Sequence, residues 1–330
     1  MEVTSAEWVS ITDESSVGEA RRRSLLVAQR LGFDETRSGE LTLLATESSR
    51  NVLLHGGGGQ IVISAMKSEG RQVAQILAMD QGAGIANLAQ AMTDGYSTAG
   101  TMGGGMGAMK RMATALEVFT GRHGTILLLE VGEAAKPDRL HIAGLAVPYP
   151  GERLCGDAWT FHQSGERMVV LLADGLGHGR DAAEAAQEAI AAFRKRQDLA
   201  PGQILGHIHD ALKKTRGAVA AVAEIRPDQG ALTYAGIGNI AATVISGGKS
   251  RSLVSHNGTL GMVTSRIQEF HSPWTADSIL VMHSDGLQSK WDLSSYAGLV
   301  TRHPAIIAAA LLRDFRRQRD DAGVVVVKAA

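Results

Sequence analysis

The sequence predicts a two-domain α/β protein, and three observations support this. The chain has 330 residues, which suggests two domains at ~150 residues each. Hydrophobic residues make up 44% and charged residues 20%, which is enough apolar material for ordinary buried cores. Short apolar runs, typical of buried strands, are interspersed with segments whose apolar residues recur at helical spacing. We expect residues 1–134 and 135–330 to form the two domains, divided in the linker-like stretch Gly132–Arg139.

The first half is predicted to contain helices and antiparallel strands, and this combination indicates an α/β sandwich. Its clearest helix is predicted over Glu40–Leu54, where apolar residues recur every three or four positions. A run of glycines from Gly56 ends this pattern, because glycine continues a helix only at a cost. The other predicted elements are a helix over Arg21–Leu31, strands over Gln60–Ala65, Val73–Met79 and Thr125–Val131, and a loop leading into a helix over Gly103–Leu116.

In the second half, three apolar runs each adjoin an aspartate, and buried strands with helices again predict a layered α/β fold. Two helices are predicted, over Asp181–Arg196 and Pro304–Arg317. The three runs are Met168–Ala173 before Asp174, Ile279–His283 before Asp285, and Val324–Val327 after Asp320 and Asp321.

Composition and charge exclude several classes of protein. With 33 basic and 34 acidic residues the net charge is -1, which disfavours a dedicated nucleic-acid binder. No run approaches the ~18 apolar residues of a membrane span, and the first residues lack the pattern of a secretion signal. The single cysteine, Cys155, excludes an internal disulfide framework and a cysteine-built zinc site. We expect a cytoplasmic protein.

Glu47 and Asn51 lie four residues apart on the predicted helix, so they project from one face. A carboxylate beside an amide oxygen suits Mg²⁺ with its waters, and the carboxylate is equally suited to act as a general base. Exposed Glu and Asn on a helix are also commonly just solvated. The pair alone leaves these alternatives open.

Two glycine-containing segments follow this helix. Asp80 ends a predicted strand before Gly82 and Gly84, so its carboxylate could accept a hydrogen bond from an exocyclic amine while the glycines admit a flat base. Asp and Gly also commonly form a tight turn. In the second segment, backbone N–H groups at the start of a predicted helix offer a phosphate site. Its glycines are Gly103, Gly104, Gly105 and Gly107.

In this order and spacing, the three motifs resemble the gyrase–chaperone–histidine-kinase–MutL ATPase superfamily. Residues 5–132 are similar in particular to anti-sigma-factor serine kinases of the RsbT type, with a further match at Asp94–Thr98. The resemblance implies a histidine-kinase-type α/β sandwich that binds ATP with Mg²⁺. Its implied site residues are Asn51 on Mg²⁺, Glu47 as the base for the attacking hydroxyl, Asp80 on adenine with Gly82 and Gly84 beside it, and Gly103–Gly107 around the triphosphate.

Four segments of the second half each place an aspartate at a predicted strand end or turn. Divalent cations need several hard oxygen ligands, and Asp-Gly turns supply both a carboxylate and a backbone carbonyl. A pair of such cations can orient a phosphate and deprotonate a water for in-line attack. One Asp-Gly is most often only a turn, but four beside buried runs indicate a metal centre. The aspartates are Asp157, Asp174, Asp285, and Asp320 or Asp321.

These segments, in order, resemble the metal-dependent serine/threonine phosphatases of the SpoIIE and RsbX type over residues 140–328, with Gly236–Asn239 and Asn257–Gly261 as accompanying structural segments. The resemblance implies an α-β-β-α sandwich with two Mn²⁺ or Mg²⁺ ions. It implies that Asp174 is shared by both ions and matters most for catalysis, and it favours Asp320 over Asp321. The full implied ligand set is Asp157, Asp174, the Gly175 carbonyl, Asp285 and Asp320.

Three other residues near these motifs have competing interpretations. His178 could protonate the leaving hydroxyl or only stabilise its turn. Cys155 could be called a nucleophile, but no base is placed beside it, so a small buried residue is the better interpretation. Gly323 stands where the resembling phosphatases commonly have threonine, which puts a secondary hydrogen bond in doubt.

The two resemblances together imply a bifunctional regulatory switch. The N-terminal domain would phosphorylate, and the C-terminal domain dephosphorylate, serine or threonine on a STAS-domain partner in a sigma-factor regulatory or stressosome complex. The alternative is a phosphatase gated by an N-terminal module that binds nucleotide or a partner without catalysis. Glu47 favours catalysis, because a pure binding module needs no base there. We expect no nucleic-acid or membrane partner and leave a homodimer open.

Overall fold

The computed structural model describes residues 2–68, 71–93, 105–133, 139–264 and 266–329. The chain divides into two compact units, Met1–Lys136 and Pro137–Ala330. The division falls inside the linker-like stretch Gly132–Arg139. Within the described ranges, no helix is both long and apolar enough to cross a membrane.

Among its described residues, the first unit has two long helices, two short ones and five strands. The helices are α1 (Glu14–Leu31), α2 (Glu35–Gly56), α3 (Leu88–Ala91) and α4 (Met106–Met112). The strands are β1 (Glu2–Ile11), β2 (Gly59–Ser68), β3 (Arg71–Asp80), β4 (Ala115–Gly121) and β5 (Gly124–Gly132).

Local signals set the ends of both long helices. At the start of α1, Asp13 Oδ1 accepts from Ser16 N at 2.9 Å and Ser16 Oγ accepts from Asp13 N at 3.2 Å, which is a capping box. Asp34 caps α2 in the simpler way, by accepting from Arg37 N at 2.8 Å. Gly57, with a φ of 70°, ends α2, because a residue without Cβ adopts this left-handed conformation at little cost.

The five strands form one antiparallel sheet in the order β1-β2-β3-β5-β4, and α1 and α2 pack against it. The buried face of α2 includes Leu41, Leu44 and Val52, which confirms the predicted stripe. Isoleucines of β2 and β3, Ile61, Ile63 and Ile76, meet that stripe in the core. The unit is therefore a two-layer α/β sandwich, as the sequence predicts.

The part of the second unit that the structure describes has three α-helices and ten strands. Its helices are α5 (Arg180–Arg196), α6 (Pro201–Ala211) and α7 (Pro304–Phe315). Its strands are β6 (Leu140–Val147), β7 (Asp157–Ser164), β8 (Arg167–Gly175), β9 (Ala218–Arg226), β10 (Ala231–Ile237), β11 (Ala241–Ser246), β12 (Lys249–Leu253), β13 (Phe270–Pro273), β14 (Ile279–His283) and β15 (Ala322–Ala329).

These strands form two antiparallel sheets that pack face to face. The first has the order β13-β10-β9-β8-β7, and α5 and α6 cover its outer face. The second has the order β12-β11-β14-β15-β6, and α7 covers it. Strands β6 and β15 face β7 and β8, with the ring of Trp159 against the Gly144 backbone. The predicted α-β-β-α sandwich is confirmed.

The structure corrects one predicted element and adds others. The helix expected within Gly103–Leu116 ends at Met112, and Leu116 lies in β4 instead. Strand β9 has the sequence AVAAVAEIR and every residue from Ala218 to Ala223 is buried, so it lacks the alternation that marks a half-exposed strand. Its small side chains fit a central strand packed on both faces.

Candidate functional site

Asp157 and Asp174 face each other across two neighbouring strands of the second unit. Asp157 opens β7, Asp174 is the penultimate residue of β8, and the two are direct partners in the antiparallel register. Their chain neighbours Ala158 and Ala173 belong to the core beneath α5 and α6. Because side chains alternate along a strand, both aspartates point toward the second sheet.

The second sheet contributes its acidic residues at the matching edge. Asp285 lies two residues after the end of β14, and Asp320 lies two residues before the start of β15. The two strands are antiparallel neighbours, with His283 paired to Val324, so the end of one lies beside the start of the other. The structure thus brings together the four aspartates that the sequence predicts.

A buried serine joins the two sheets at this edge. Ser284 Oγ donates to Asp157 Oδ2 at 2.6 Å and accepts from Gly323 N at 2.9 Å. A Cβ built on Gly323 would stand 3.0 Å from Asp157 Oδ2, so a threonine there would press on the carboxylate. Sequence reasoning missed Ser284, although its place directly before Asp285-Gly286 was a signal. Its hydroxyl supplies a hydrogen bond beside the position where threonine was expected.

Asn239 is a second residue that the sequence analysis treated only as part of a structural segment. Its Nδ2 donates to Asp285 Oδ2 at 2.7 Å. The loop after β10 therefore orients the Asp285 carboxylate from the side of the first sheet.

The neighbouring aspartates Asp320 and Asp321 have different surroundings. Asp321 is 2% exposed, and its Oδ1 accepts from Tyr149 N at 2.8 Å, so it holds the loop after β6. Asp320 is half-buried at the edge, where its Oδ1 accepts from Asp321 N at 2.9 Å. Asp320, the residue that the resemblance favours as a ligand, is therefore the more exposed of the two.

Burial and mutual repulsion perturb the acidic groups. Burial, followed by the charges of Asp157 and Asp285, raises the pKa of Asp174 to about 9. Burial also raises the pKa of Asp157 to about 7, although the hydrogen bond from Ser284 opposes the shift. The pKa of Asp320 is raised by burial and by Asp285. A cation among these carboxylates would relieve the repulsion.

The donor set fits divalent cations, although it is not closed around one point. Asp157 Oδ1 and Asp321 Oδ2 are buried oxygens without a hydrogen-bond partner. In the part of the chain that the structure describes, no three Asp, Glu, His or Cys side chains are gathered closely enough to hold an ion. Like charges without a cation between them are expected to stand apart. Hard carboxylate oxygens are the ligands that Mg²⁺ and Mn²⁺ prefer.

The predicted ligand Gly175 lies where its backbone is tightly packed. Its N donates to Gly156 O at 3.0 Å, and a Cβ on Gly175 would collide with the Ala182 carbonyl oxygen of α5. Only glycine allows the helix this close, which fixes the peptide that follows Asp174.

His178 and Cys155 have surroundings that favour their structural interpretations. His178 Nδ1 lies 3.2 Å from Glu152 Oε1, and its ring stacks on Tyr149 with the centroids 4.5 Å apart. Burial, with Asp157 and Asp321 nearby, raises the pKa of the Cys155 thiol well above its usual value. A thiol that stays protonated is a poor nucleophile.

In the first unit, Asp80 is buried at the end of β3 and contacts the end of α2. Its Oδ1 accepts from Gly82 N at 2.9 Å and from Thr125 N at 3.0 Å. A Cβ on Gly56 would collide with Asp80 Cβ, and one on Gly82 would stand 2.7 Å from His55 O. The glycines therefore let α2 and the Asp80 turn approach closely. The turn proposed as the plain alternative is present, and it holds the carboxylate in place.

The other predicted nucleotide residues lie around the same helix. Glu47 and Asn51 are both partly buried on α2, and Glu47 Oε1 pairs with Arg50 Nη1 at 3.2 Å. Helix α4, which packs against α2, begins after Gly105 and buries Gly107. Gly84 has a φ of 77° and approaches the Gly121 backbone. Gly103, Gly104 and the Asp94–Thr98 motif lie outside the described residues.

Comparison with known proteins identifies relatives of both units. Residues 164–330 match the family described as stage II sporulation protein E (SpoIIE). Serine/threonine-protein kinase RsbT of Bacillus subtilis (strain 168) is 36% identical over 104 residues, which are 32% of this chain and 78% of RsbT. Phosphoserine phosphatase RsbX of the same organism is 27% identical over 142 residues, 42% of this chain and 69% of RsbX.

A solved structure supports the architecture of the second unit. The crystal structure of RsbX in complex with magnesium matches with a TM-score of 0.52 and 18% identity, over 66% of this chain and 100% of that chain. At this identity the likeness shows the fold alone.

Proposed function

The chain belongs to the stage II sporulation protein E family and carries an RsbT-like region ahead of the family domain, and from this we propose a bifunctional phosphorylation switch. The second unit is a phosphatase that removes phosphate from serine or threonine of a protein. The first unit transfers phosphate from ATP to the same class of side chain. The observation that carries the phosphatase is the register pair Asp157–Asp174, which faces Asp285 and Asp320 from the opposite sheet.

In the phosphatase, the chain's own residues hold and orient two divalent cations. Asp157, Asp174, Asp285, Asp320 and the Gly175 carbonyl are the proposed ligands, and the relative RsbX has been crystallised with magnesium. Bound cations of this kind orient a phosphate and lower the pKa of water. Ser284 and Asn239 each hold one oxygen of Asp157 and Asp285, which orients these two carboxylates for binding cations.

The test of the phosphatase uses the full chain with an aryl phosphate and a phosphoserine protein. Chelation should abolish hydrolysis, and Mn²⁺ should restore it more readily than Ca²⁺, whose looser shell orients water poorly. Asp174→Asn keeps the side-chain shape but removes a charge, so metal affinity and turnover should both fall sharply. Hydrolysis that resists chelation, or wild-type turnover in the Asn variant, would contradict the mechanism.

In the kinase, α2 and the end of β3 supply the groups that contact the nucleotide and the acceptor. Asn51 holds Mg²⁺, Glu47 accepts the proton of the attacking hydroxyl, and Asp80 accepts from the adenine amine. Gly82, Gly84 and the glycines from Gly103 to Gly107 leave room for the nucleotide against the backbone. The close packing of Gly56 against Asp80 supports a preformed base site.

The kinase is tested with labelled ATP and a STAS-domain protein, the partner class proposed for both units. Glu47→Ala should retain ATP binding but lose phosphate transfer by ~100-fold or more, as expected when a general base is removed. Asp80→Asn should weaken ATP binding itself, because the amide presents donors toward the adenine amine. Wild-type protein that binds ATP but transfers nothing would favour the second candidate, a phosphatase gated by a non-catalytic first unit.

A further inference from the structure

Gly217 contacts the residue that follows β8, next to the proposed metal ligands Asp174 and Gly175. Leu176 N donates to Gly217 O at 3.1 Å, directly after Asp174 and Gly175. On another side of the same glycine, Met262 Cγ stands 3.3 Å from the position of a Gly217 Cβ. Leu176 and Met262 therefore both lie next to Gly217, and Leu176 follows the proposed ligand Asp174 by two residues.

Met262 belongs to a turn that the surrounding backbone holds firmly. Met262 N donates to Thr259 O at 3.2 Å, and Thr259 N donates to Val263 O at 2.8 Å. Leu260 exchanges both backbone hydrogen bonds with Ala218, at 2.8 and 3.1 Å. Gly261, with a φ of 85°, has the left-handed conformation of the third position of a type II turn, and its N donates to His209 Nδ1 at 3.2 Å.

Despite this fixed backbone, the turn presents its apolar side chains to solvent. Met262 is 61% exposed, Val263 is 79% exposed and Leu176 is 37% exposed. We call these three residues the apolar lip. These exposed aliphatic side chains do not stabilise the free protein, because apolar surface in contact with water is unfavourable. Apolar patches with polar surroundings typically mark binding sites.

Arg216 adds a positive charge next to the apolar lip, beside the loop that follows β8. It directly precedes Gly217, and its Nη1 stands 3.3 Å from the position of a Gly177 Cβ. Its side chain is 52% exposed, and its contact with Asp181 Oδ2 is long, at 4.0 Å. A guanidinium that is only loosely paired can donate to two oxygens of a phosphate. Charge complementarity thus favours a phosphate-bearing segment at this surface over a basic or neutral one.

We propose that the apolar lip is the docking surface for the protein substrate of the phosphatase, a segment with an aliphatic residue next to its phosphoserine or phosphothreonine. The aliphatic side chain of the substrate packs on Met262 and Val263, and the Arg216 guanidinium donates hydrogen bonds to the phosphate near the acidic edge. This inference rests on the proposed phosphatase function and specifies the kind of phosphorylated segment that binds beside the acidic edge.

The test compares two phosphoserine peptides, one with leucine beside the phosphoserine and one with serine there, and an aryl phosphate. In the full chain, Met262→Ser combined with Val263→Ser should lower kcat/KM for the leucine peptide by about tenfold or more, the effect of losing one buried aliphatic contact. The same variant should keep wild-type hydrolysis of the aryl phosphate, which has no residue to dock. Arg216→Gln should instead impair all three substrates.

Val300→Ser is the matched control. Val300 is 38% exposed in the same unit, and its carbonyl contacts Lys328 Nζ at the far end of β15 from Asp320. It should leave all three activities unchanged. Equal kcat/KM of wild type and double variant on the leucine peptide, or an equal loss on both peptides and the aryl phosphate, would overturn the docking surface. Wild-type protein inactive on every substrate with Mn²⁺ would instead overturn the phosphatase itself.

Discussion

The two oxygens of Asp157 have opposite environments, and Ser284 is responsible for the difference. Oδ2 accepts the short hydrogen bond from Ser284, whereas Oδ1 is buried without a partner. The carboxylate is therefore held by one oxygen while the other stays available. A partner of this kind sets the direction of a ligand and typically contributes 10- to 100-fold to metal affinity or activity.

Ser284→Ala should accordingly lower kcat/KM for an aryl phosphate, or the affinity for Mn²⁺, by about 10- to 100-fold. Ser278→Ala is the matched control, because Ser278 is also a buried serine but precedes β14, whereas Ser284 follows it. Ser278 Oγ holds a turn, where it accepts from Thr275 N at 2.9 Å and lies 2.9 Å from Thr275 Oγ1. Equal activity of the two variants would show that the Ser284 hydroxyl does not position Asp157.

Asp320 and Asp321 can be separated by isosteric substitution. Asp320→Asn should lower turnover by more than about 100-fold, beyond the usual effect of losing a supporting partner. Asp321→Asn retains an oxygen that accepts from Tyr149 N, so it should keep turnover within about tenfold of wild type. Turnover at saturating Mn²⁺ with thermal melting as a fold check measures this. The reverse order of the two losses would make Asp321 the ligand.

At the scale of elements, α2 has two glycines whose surroundings differ completely. A Cβ on Gly56 would collide with Asp80, whereas a Cβ on Gly39 would meet nothing within 4 Å. Gly56→Ala should displace the Asp80 carboxylate and weaken ATP binding. Gly39→Ala should leave binding unchanged and stabilise the unit by roughly 0.5–1 kcal/mol, because alanine favours helix.

Calorimetric titration with ATP·Mg²⁺ and urea denaturation of both variants measure these effects. Unchanged ATP affinity in Gly56→Ala, in a variant that is folded, would mean that the base does not bind at Asp80.

The elements that the sequence predicts correctly have either apolar residues at a regular spacing or an apolar run with clear ends. The stripe of α2 and the apolar run of β14 are examples, and β14 has the predicted bounds Ile279–His283. Elements without such a pattern were missed, among them β9, whose alanines suit a helix as well as a buried strand. The packing of β9 against its neighbouring strands and beneath α5 and α6 makes this segment a strand, and that packing is not encoded in the local spacing of residues.

For the whole molecule, the raised pKa values of Asp157 and Asp174 make stability depend on pH. Without metal, the folded protein holds protons at these groups that the unfolded chain has released. The contribution of these two groups to the free energy of unfolding is complete below about pH 4, the pKa of an aspartate in the unfolded chain. It is lost as the pH rises through their folded-state pKa values of about 7 and about 9. The metal-free protein should therefore melt at lower temperature at pH 9 than at pH 6.

Saturating Mg²⁺ should raise the melting temperature more at pH 9 than at pH 6, because the carboxylates that bind it are then ionised. Asp174→Asn removes the group with the larger shift and should flatten the metal-free profile. Differential scanning calorimetry of both chains with and without Mg²⁺ tests this. A metal-free melting temperature that rises across this range would mean that the acidic edge is not buried as described.

The gathering of the four aspartates at one edge could be predicted from the sequence, but the residues that hydrogen-bond to them could not. Each aspartate stands beside glycine or a second aspartate next to an apolar run, and such local patterns are visible in one dimension. The hydrogen bonds from Ser284 and Asn239 join residues 127 and 46 positions apart in sequence. Only the stacking of the two sheets brings those pairs together.

The place of β15 in its sheet has a consequence for how the second unit forms during synthesis. Strand β15 lies between β14 and β6, so the last strand of this sheet to be synthesised completes the middle of a sheet whose first strand, β6, begins at Leu140. Until then β6 and β14 each have an unpaired edge, a template for contact with other chains. The sheet of the first unit is complete once β5 ends at Gly132, so that unit can fold while the second is still being made. A nascent chain therefore carries its finished first unit while the sheet of the second unit is incomplete, and the unpaired strand edges of that sheet stay exposed to other chains until β15 is made.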